Sequence, residues 1–253
     1  MTSIKIPTIN LLGVSLACLD QAGLIERALE WSCSPGLHTI YYANANCLNL
    51  AYRDESYRRL LASADLVYAD GIGPVWAGRL LGGCPLHKLT GADWAGPLCE
   101  RLAAAGANLY LCGGRPGIAR KTAENLLKCY PSLKIVGTAD GFFQEKSDAR
   151  VAAEISRLQP QVILVGMGAP QQEFWISAHR EAVPAGVWWG VGALFDFLAG
   201  IERRVPGWMD RLGLEWLWRF GHDPTGKWRR YLLGNPLFAA RVVRQYLKMN
   251  LKR

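Results

Sequence analysis

The feature that most constrains the fold is an alternation of short apolar runs with segments of helical periodicity. Seven runs have strand length: 9–14, 39–43, 66–69, 108–112, 134–136, 162–165 and 186–191. Six helical segments lie between them: 21–31, 48–61, 94–104, 116–129, 148–158 and 170–180. Because a β-α repeat with short connections favours parallel strands, we predict an α/β fold. Its sheet is mostly parallel and Rossmann-like, with flanking helices.

The positive charge is confined to the last fifth of the chain. Residues 203–253 contain 12 of the 29 Lys and Arg but only 3 of the 21 Asp and Glu, a net charge of +9, whereas residues 1–202 carry −1. Four tryptophans accompany these cations. We therefore predict an α/β core over 1–200 and a basic, Trp-rich helical appendage over 201–253. Cations interleaved with aromatics favour an anionic membrane surface; a nucleic-acid or subunit contact is the alternative.

The segment 237–252 has the pattern of a basic amphipathic helix, which either docks on the core or lies on a membrane. We find no apolar run long enough to span a bilayer and no apolar leader near the N-terminus, and so expect neither secretion nor a membrane span. The seven cysteines include no C-x-x-C pair. They are expected to be reduced, cytosolic thiols.

Polar residues follow several of the predicted strands, at the edge where open α/β sheets bind ligands. Asp70 follows the run 66–69 and is either a catalytic base or the N-cap of the next helix. Asn44 follows 39–43 and could bind a sugar hydroxyl or cap a helix. Asp196 brings a second acid to this edge, unless it is only a solvated acid at a helix start.

Two glycine-rich loops begin helices at the same edge. Gly113 and Gly114 could present backbone N–H groups to a phosphate, or form a plain turn. The loop before Gln172 has a similar composition. The loop at Gly113 and Gly114 matches neither a dinucleotide fingerprint nor a Walker loop. Phe142 could lie against a nucleotide base or pack in the core.

Several common catalytic motifs are missing. The sequence has no D-x-D pair, no H-E-x-x-H and no cysteine pair to hold a divalent ion, and no G-x-S-x-G elbow. We therefore expect no metal, no cofactor and no serine hydrolase. Glycine-rich loops at the carboxyl edge of the sheet, two acids (Asp70 and Asp196) and cationic side chains favour the transfer of a group from a nucleotide.

Long motifs in order resemble the WecG/TagA/CpsF glycosyltransferases, glycosyltransferase family 26. They are Ala-Asp-Gly-Ile-Gly at 69–73, Thr-Gly-Ala-Asp at 90–93, Leu-Cys-Gly-Gly-Arg-Pro-Gly at 111–117, Gly-Met-Gly-Ala-Pro-Gln-Gln-Glu at 166–173, Gly-Val-Gly-Ala-Leu-Phe-Asp-Phe-Leu-Ala-Gly at 190–200, Arg-Val-Pro at 204–206 and Gly-Leu-Glu-Trp-Leu at 213–217. The resemblance implies inverting, metal-independent transfer from a UDP-sugar, typically N-acetylmannosamine. The implied acceptor is a sugar on undecaprenyl diphosphate at the cytoplasmic membrane face, in cell-surface polysaccharide synthesis.

The resemblance also implies roles for individual residues. Asp70 matches the proposed base, and Asn44, Gln172 and Asp196 match donor-pocket positions. The appendage contributes arginines over the active site, for which the candidates here are Arg204, Arg211 and Arg219. Without a metal, these arginines, Lys88 and the loop at Gly113 and Gly114 are expected to hold the diphosphate of the donor.

Two departures from the family pattern leave the donor sugar open. Tyr42 stands where the family often has Thr, and Lys88 where it often has Arg, which loses a bidentate fork. The alternatives are a UDP-glucose-type exopolysaccharide enzyme, a non-catalytic nucleotide-sugar binder and a nucleic-acid-binding protein. An oligomer formed through apolar patches would also fit the tail.

Overall fold

The first apolar run folds as a hairpin rather than as one strand. β1 (Thr8–Leu11) and β2 (Val14–Ala17) pair antiparallel around Leu12 and Gly13, whose φ angles are 54° and 89°. Two consecutive positive φ angles are the geometry of a type I′ hairpin. The predicted strand over 9–14 is therefore wrong, because its middle is a turn and the hairpin forms a separate sheet.

The computed structural model describes residues 6–141, 145–183, 186–222 and 224–251. The other six apolar runs form one sheet: β3 (Leu37–Ala43), β4 (Leu66–Ala69), β5 (Asn108–Gly113), β6 (Lys134–Ala139), β7 (Val162–Gly166) and β8 (Gly186–Gly190). Their order is β4-β3-β8-β7-β5-β6, and every neighbouring pair is parallel. The predicted parallel sheet is confirmed.

Helices cover both faces of this sheet. They are α1 (Gln21–Cys33), α2 (Ala45–Arg53), α3 (Glu55–Ala62), α4 (Ile72–Leu81), α5 (Gly91–Ala105), α6 (Ile118–Cys129), α7 (Glu145–Leu158), α8 (Gln171–His179) and α9 (Leu194–Leu198). Side chains alternate along each strand, so Tyr41 joins the core with α2, α3 and α8, whereas Ile40 joins the core with α1, α5 and α6. The helices after β3 and β8 lie on opposite faces, which opens a crevice between these strand ends.

Two local expectations need correction. The helix predicted over 48–61 is broken at Asp54, whose extended backbone (φ −111°, ψ 107°) ends α2, while its side chain caps α3 by accepting from Ser56 and Tyr57 N–H groups. Helical periodicity across the break hid the cap. The cysteines are not all reduced: Cys18, after the hairpin, and Cys84, after α4, form a disulfide.

The chain after residue 200, here called the tail, continues with α10 (Gly207–Arg211), α11 (Glu215–His222), α12 (Pro224–Trp228), a π-helical turn (Arg229–Leu233) and α13 (Gly234–Asn250). α13 docks through Phe238 and Val242, which are buried against α2 and α4. Gln245 bonds the hairpin turn, accepting from Leu12 N and donating to Asn10 O. Within the described residues, no helix is both long and apolar enough to cross a membrane.

Candidate active site

A polar cavity of about 490 Å³ opens at the carboxyl ends of β4, β3, β8 and β7, at the crevice expected from the strand order. The tail covers one side of it. Its lining includes Tyr42, Asn44, Tyr68, Asp70, Thr90, Asp93, Gly168, Ala169, Val191, Phe197, Arg204, Glu215, Arg219 and Arg230.

Asp70 and Asn44 meet on the cavity wall. β3 and β4 are adjacent and in register at their last residues, so the residues that follow them lie side by side. Asn44 Nδ2 donates to Asp70 Oδ2 at 3.1 Å, and Asn44 Oδ1 caps α2 by accepting from Asn46 and Cys47 N–H groups. Asp70 is not an N-cap, since α4 begins after Gly71 without a side-chain cap.

Asp70 lies between opposing charges. Burial raises the pKa of its carboxyl, whereas the hydrogen bond from Asn44 lowers it. Glu215 raises this pKa further, and Arg219 and Arg230 oppose that rise. A desolvated carboxylate held by one amide and faced by two guanidinium groups can act as a general base.

The tail closes the cavity through its arginines. Arg204 forms an ion pair with Asp93 at the start of α5. Arg219 pairs with Glu215, and its guanidinium lies 5.0 Å from the centre of the Phe197 ring. Both arginines line the polar cavity. The side chain of Arg211 lies outside the described part of the chain.

Lys88 borders a second cavity, of about 440 Å³, between α4 and α13, here called the apolar groove. The groove and the polar cavity share Asn44, Asn46, Asp70, Glu215, Arg219 and Arg230. Lys88 is absent from the lining of the polar cavity, where a donor diphosphate was expected to need it. The loop after α4 places it here, because Leu89 N–H bonds Ala69 O beside Asp70.

Gly113 and Gly114 line neither cavity. A Cβ on Gly113 would lie 2.4 Å from Gly166 O, and Gly114 donates to that oxygen at 2.8 Å while accepting from Gly141 N–H. The Gly117 N–H bonds Asp140 Oδ1. These glycines therefore serve close backbone packing between β5 and β7. Of the two interpretations of this loop, the structure supports the plain turn over the phosphate site.

Gln172 and Asp196 also lie outside the polar-cavity lining. The Gln172 side chain is fully buried; it donates to Glu173 Oε1 and accepts from Gly192 N–H, which joins the loops after β7 and β8. Asp196 lies 4.0 Å from the Arg115 guanidinium. Phe142 lies outside the described residues.

Tyr42 lines the polar cavity. Its ring lies 6.5 Å from that of Tyr68, and a Cβ on Gly192 would lie 2.5 Å from its hydroxyl. Gly192 therefore makes room for the bulk of Tyr42, which a Thr would not need. A tyrosine and a glycine at these positions form a matched pair in the wall.

Three charged cavity residues carry no site assignment from sequence: Asp93, Glu215 and Arg230. The first two lie in motifs that the resemblance singled out, so their chemistry was visible but their role was not. Arg230 is one cation among twelve in the tail. Among the described residues, no group of three His, Cys, Asp or Glu could hold a metal ion. Metal independence stays a prediction.

Comparisons with known proteins identify the family of the chain. The family model described as "Glycosyl transferase WecG/TagA/CpsF family" matches residues 9–252. The chain is similar to the N-acetylglucosaminyldiphosphoundecaprenol N-acetyl-beta-D-mannosaminyltransferase of Bacillus subtilis (strain 168), with 31% identity over 77% of this chain and 75% of that protein. The protein of the same name from Bacillus spizizenii is 29% identical over 77% of this chain and 74% of its own. The chain belongs to the WecG/TagA/CpsF family of glycosyltransferases.

Proposed function

We propose that the protein transfers N-acetylmannosamine from a UDP-linked donor to N-acetylglucosamine on undecaprenyl diphosphate. The names of the two Bacillus relatives specify this sugar and this acceptor. The observation that carries the proposal is the position of Asp70, where a polar cavity with three arginines meets an apolar groove. A reaction between a charged nucleotide sugar and a lipid-linked sugar needs such a junction.

In this reaction Asp70 is the general base. The acceptor hydroxyl oxygen bonds the anomeric carbon while the bond from that carbon to the UDP oxygen breaks on the opposite face. Asp70 takes the hydroxyl proton, and UDP leaves with the bonding electron pair. The β linkage in the relatives' names fits inversion of an α-linked UDP-sugar. Burial, by raising the pKa of Asp70, makes its carboxylate a stronger base.

The departing UDP gains negative charge as the bond breaks. Arg204, Arg219 and Arg230 are the cations that line the polar cavity. Charge-assisted hydrogen bonds from guanidinium to phosphate are strong and directional. These three arginines therefore stabilise the diphosphate in the transition state, the task that a divalent ion performs in metal-dependent transferases.

We also infer that the tail holds the enzyme peripherally on the cytoplasmic face of the membrane, where the lipid acceptor is anchored. The support is a set of exposed apolar and basic side chains distributed over the helices of the tail. It includes Trp208, Leu217, Trp228, Arg244, Leu247 and Lys248. Such a mixture is attracted both to anionic headgroups and to the interface beneath them.

The proposal is tested by transfer from UDP-N-acetylmannosamine, UDP-N-acetylglucosamine and UDP-glucose to polyprenyl-diphosphate-linked N-acetylglucosamine in EDTA. We expect product from the first donor. Asp70→Asn should lower the rate by about 10²–10⁴-fold and still bind UDP. Product from UDP-glucose alone would show that glucose is the transferred sugar. UDP binding without transfer in the wild type would indicate a non-catalytic binder.

Asp93 supplies a matched comparison, because it is a second carboxylate in the lining of the same cavity. Asp93→Asn should reduce the rate less than Asp70→Asn does. The reverse order would assign the base to Asp93.

A further inference from the structure

The apolar groove is lined on both sides by large apolar side chains that are exposed to solvent. Trp76 and Leu80 on α4 are 57% and 45% exposed, and Val243 on α13 is 48% exposed. Phe238 and Val242 form its buried floor. Large apolar side chains that remain exposed around one concave surface mark a binding site for an apolar ligand.

The inner end of the groove is polar and charged. Asp70, Arg219 and Arg230 belong to this end and also to the polar cavity. Lys88 is half-buried on the groove side. A ligand that fills the groove thus brings its inner end to the base and to three cations, while its outer end is hydrocarbon.

The outer end leads to the exposed face of α13. Beyond Val243, the same helix exposes Tyr246, Leu247 and Leu251. A hydrocarbon chain that leaves the groove beside Val243 therefore continues along apolar surface. A ligand that matches this pattern is amphiphilic, with an anionic group at the inner end of the groove and a hydrocarbon chain at the outer end.

We propose that the groove binds the isoprenoid chain of the acceptor next to its diphosphate, and that Lys88 contacts that diphosphate rather than the diphosphate of the donor. This inference rests on the proposed function for the identity of the lipid. Continuity with the polar cavity supports the assignment, because the sugar attached to the diphosphate then reaches Asp70. On the groove side, the positive charge of Lys88 complements this diphosphate.

The groove can be blocked at Ala239, which lines it from an exposed position on α13. Ala239→Trp fills the groove without crowding a buried site. Ala240→Trp is the matched control, since Ala240 is also exposed on α13 but is not part of the lining. The transfer assay compares two acceptors, N-acetylglucosamine diphosphates that carry either a farnesyl or a propyl chain.

We expect the wild type to prefer the farnesyl acceptor by about tenfold or more in kcat/KM, because burial of added methylene groups is favourable. Ala239→Trp should abolish this preference, whereas Ala240→Trp should keep it. An unchanged preference in Ala239→Trp would overturn the inference. Lys88→Gln should raise KM for both acceptors by about tenfold; a raised KM for the UDP-sugar instead would return Lys88 to the donor.

Photolabelling decides the same question without turnover. A farnesyl diphosphate with a benzophenone on its chain should label peptides from α4 or from 234–243, and Ala239→Trp should suppress this label. Label found only on other parts of the tail would overturn the inference. If the probe labels the groove but no sugar is transferred, the lipid site stands and the proposed reaction fails.

Discussion

The amide of Asn44 serves two neighbours with its two ends. Its oxygen accepts from the first N–H groups of α2, and its nitrogen donates to Asp70. The cap stabilises α2, and the donated bond orients the Asp70 carboxylate. Removing the whole amide loses both the cap on α2 and the hydrogen bond to Asp70. A useful substitution keeps the cap and removes only the hydrogen bond.

Asn44→Ser does so, because Ser is also a good N-cap but is too short to keep the amide donor. If Asp70 is the base, kcat/KM rises with pH as its carboxyl ionises, with a midpoint above the ordinary Asp value because burial raises the pKa. The hydrogen bond from Asn44 lowers this pKa, so its loss should move the acid limb to higher pH. Asn44→Ala should in addition cost about 1 kcal/mol of unfolding free energy. A limb that does not move in Asn44→Ser would contradict the assignment.

Gly113 shows a different use of a residue. Its Cβ would meet the backbone of Gly166, with φ at +145°, whereas a Cβ on Gly117 would meet nothing within 4 Å at φ +83°. Both positions carry left-handed strain, but only Gly113 adds a backbone clash.

We expect Gly117→Ala to lose about 1–2 kcal/mol of unfolding free energy in urea, and Gly113→Ala to lose clearly more or to fail to fold. Equal losses would mean that the β5–β7 loops can move apart. A selective loss of UDP binding in a stable Gly113→Ala variant would restore the phosphate interpretation.

Elements follow from sequence where their signal is local. Six of the seven apolar runs are strands of the sheet, because β propensity and periodicity act over a few residues. The first run misled because the turn residue Leu12 is itself apolar. The helical spacing across Asp54 concealed a cap for a similar reason. The sequence alone left open whether Asn44 binds a ligand or caps a helix, because the pairing of β4 with β3 is not visible in it.

Site residues were harder, because their neighbours come from distant segments. Asp70, Tyr42 and Asn44 lie at strand ends, and their shared edge follows from the parallel sheet. The groove that Lys88 borders exists only because α13, about 150 residues later, packs on α4. Gln172 is buried because the loops after β7 and β8 meet over it. Neither fact is present in a local pattern.

The segment between α9 and α10 acts as a strap over the polar cavity, held by the ion pair of Arg204 with Asp93. Such an exposed pair contributes little to stability. Arg204→Ala should therefore leave the urea midpoint unchanged and raise KM for the UDP-sugar by about tenfold, the loss of one charged hydrogen bond. Arg203→Ala is the control, since Arg203 is exposed and lines neither cavity. Equal effects of both variants would indicate general electrostatics instead.

Taken as one molecule, the protein joins its basic tail firmly to its core. Arg241 donates to the backbone and side-chain oxygens of Asn49 on α2, and Gln245 holds the hairpin turn. Deleting the tail would therefore expose the core surface that Phe238 covers. A loss of membrane binding could then not be told apart from a loss of folding. Substitutions on the exposed face of α13 avoid this problem.

Arg244→Gln with Lys248→Gln should weaken binding to anionic vesicles by roughly 30-fold, at about 1 kcal/mol for each cation near the surface. Arg120→Gln with Lys121→Gln removes the same charges from α6 and is the matched control. Binding should also weaken with salt. Unchanged vesicle binding in the α13 variant, or salt-sensitive DNA binding that only this variant loses, would contradict a membrane role for the tail.

The two cavities share one wall, and Asp70 stands in it. In the proposed reaction, Asp70 receives a proton from the acceptor while the donor loses UDP, so both substrates have to be bound at the same time. Initial-rate plots against one substrate at several fixed concentrations of the other should therefore give lines that intersect. Parallel lines would require a sugar stored on the protein between two half-reactions, and a wall common to both compartments makes such storage unnecessary.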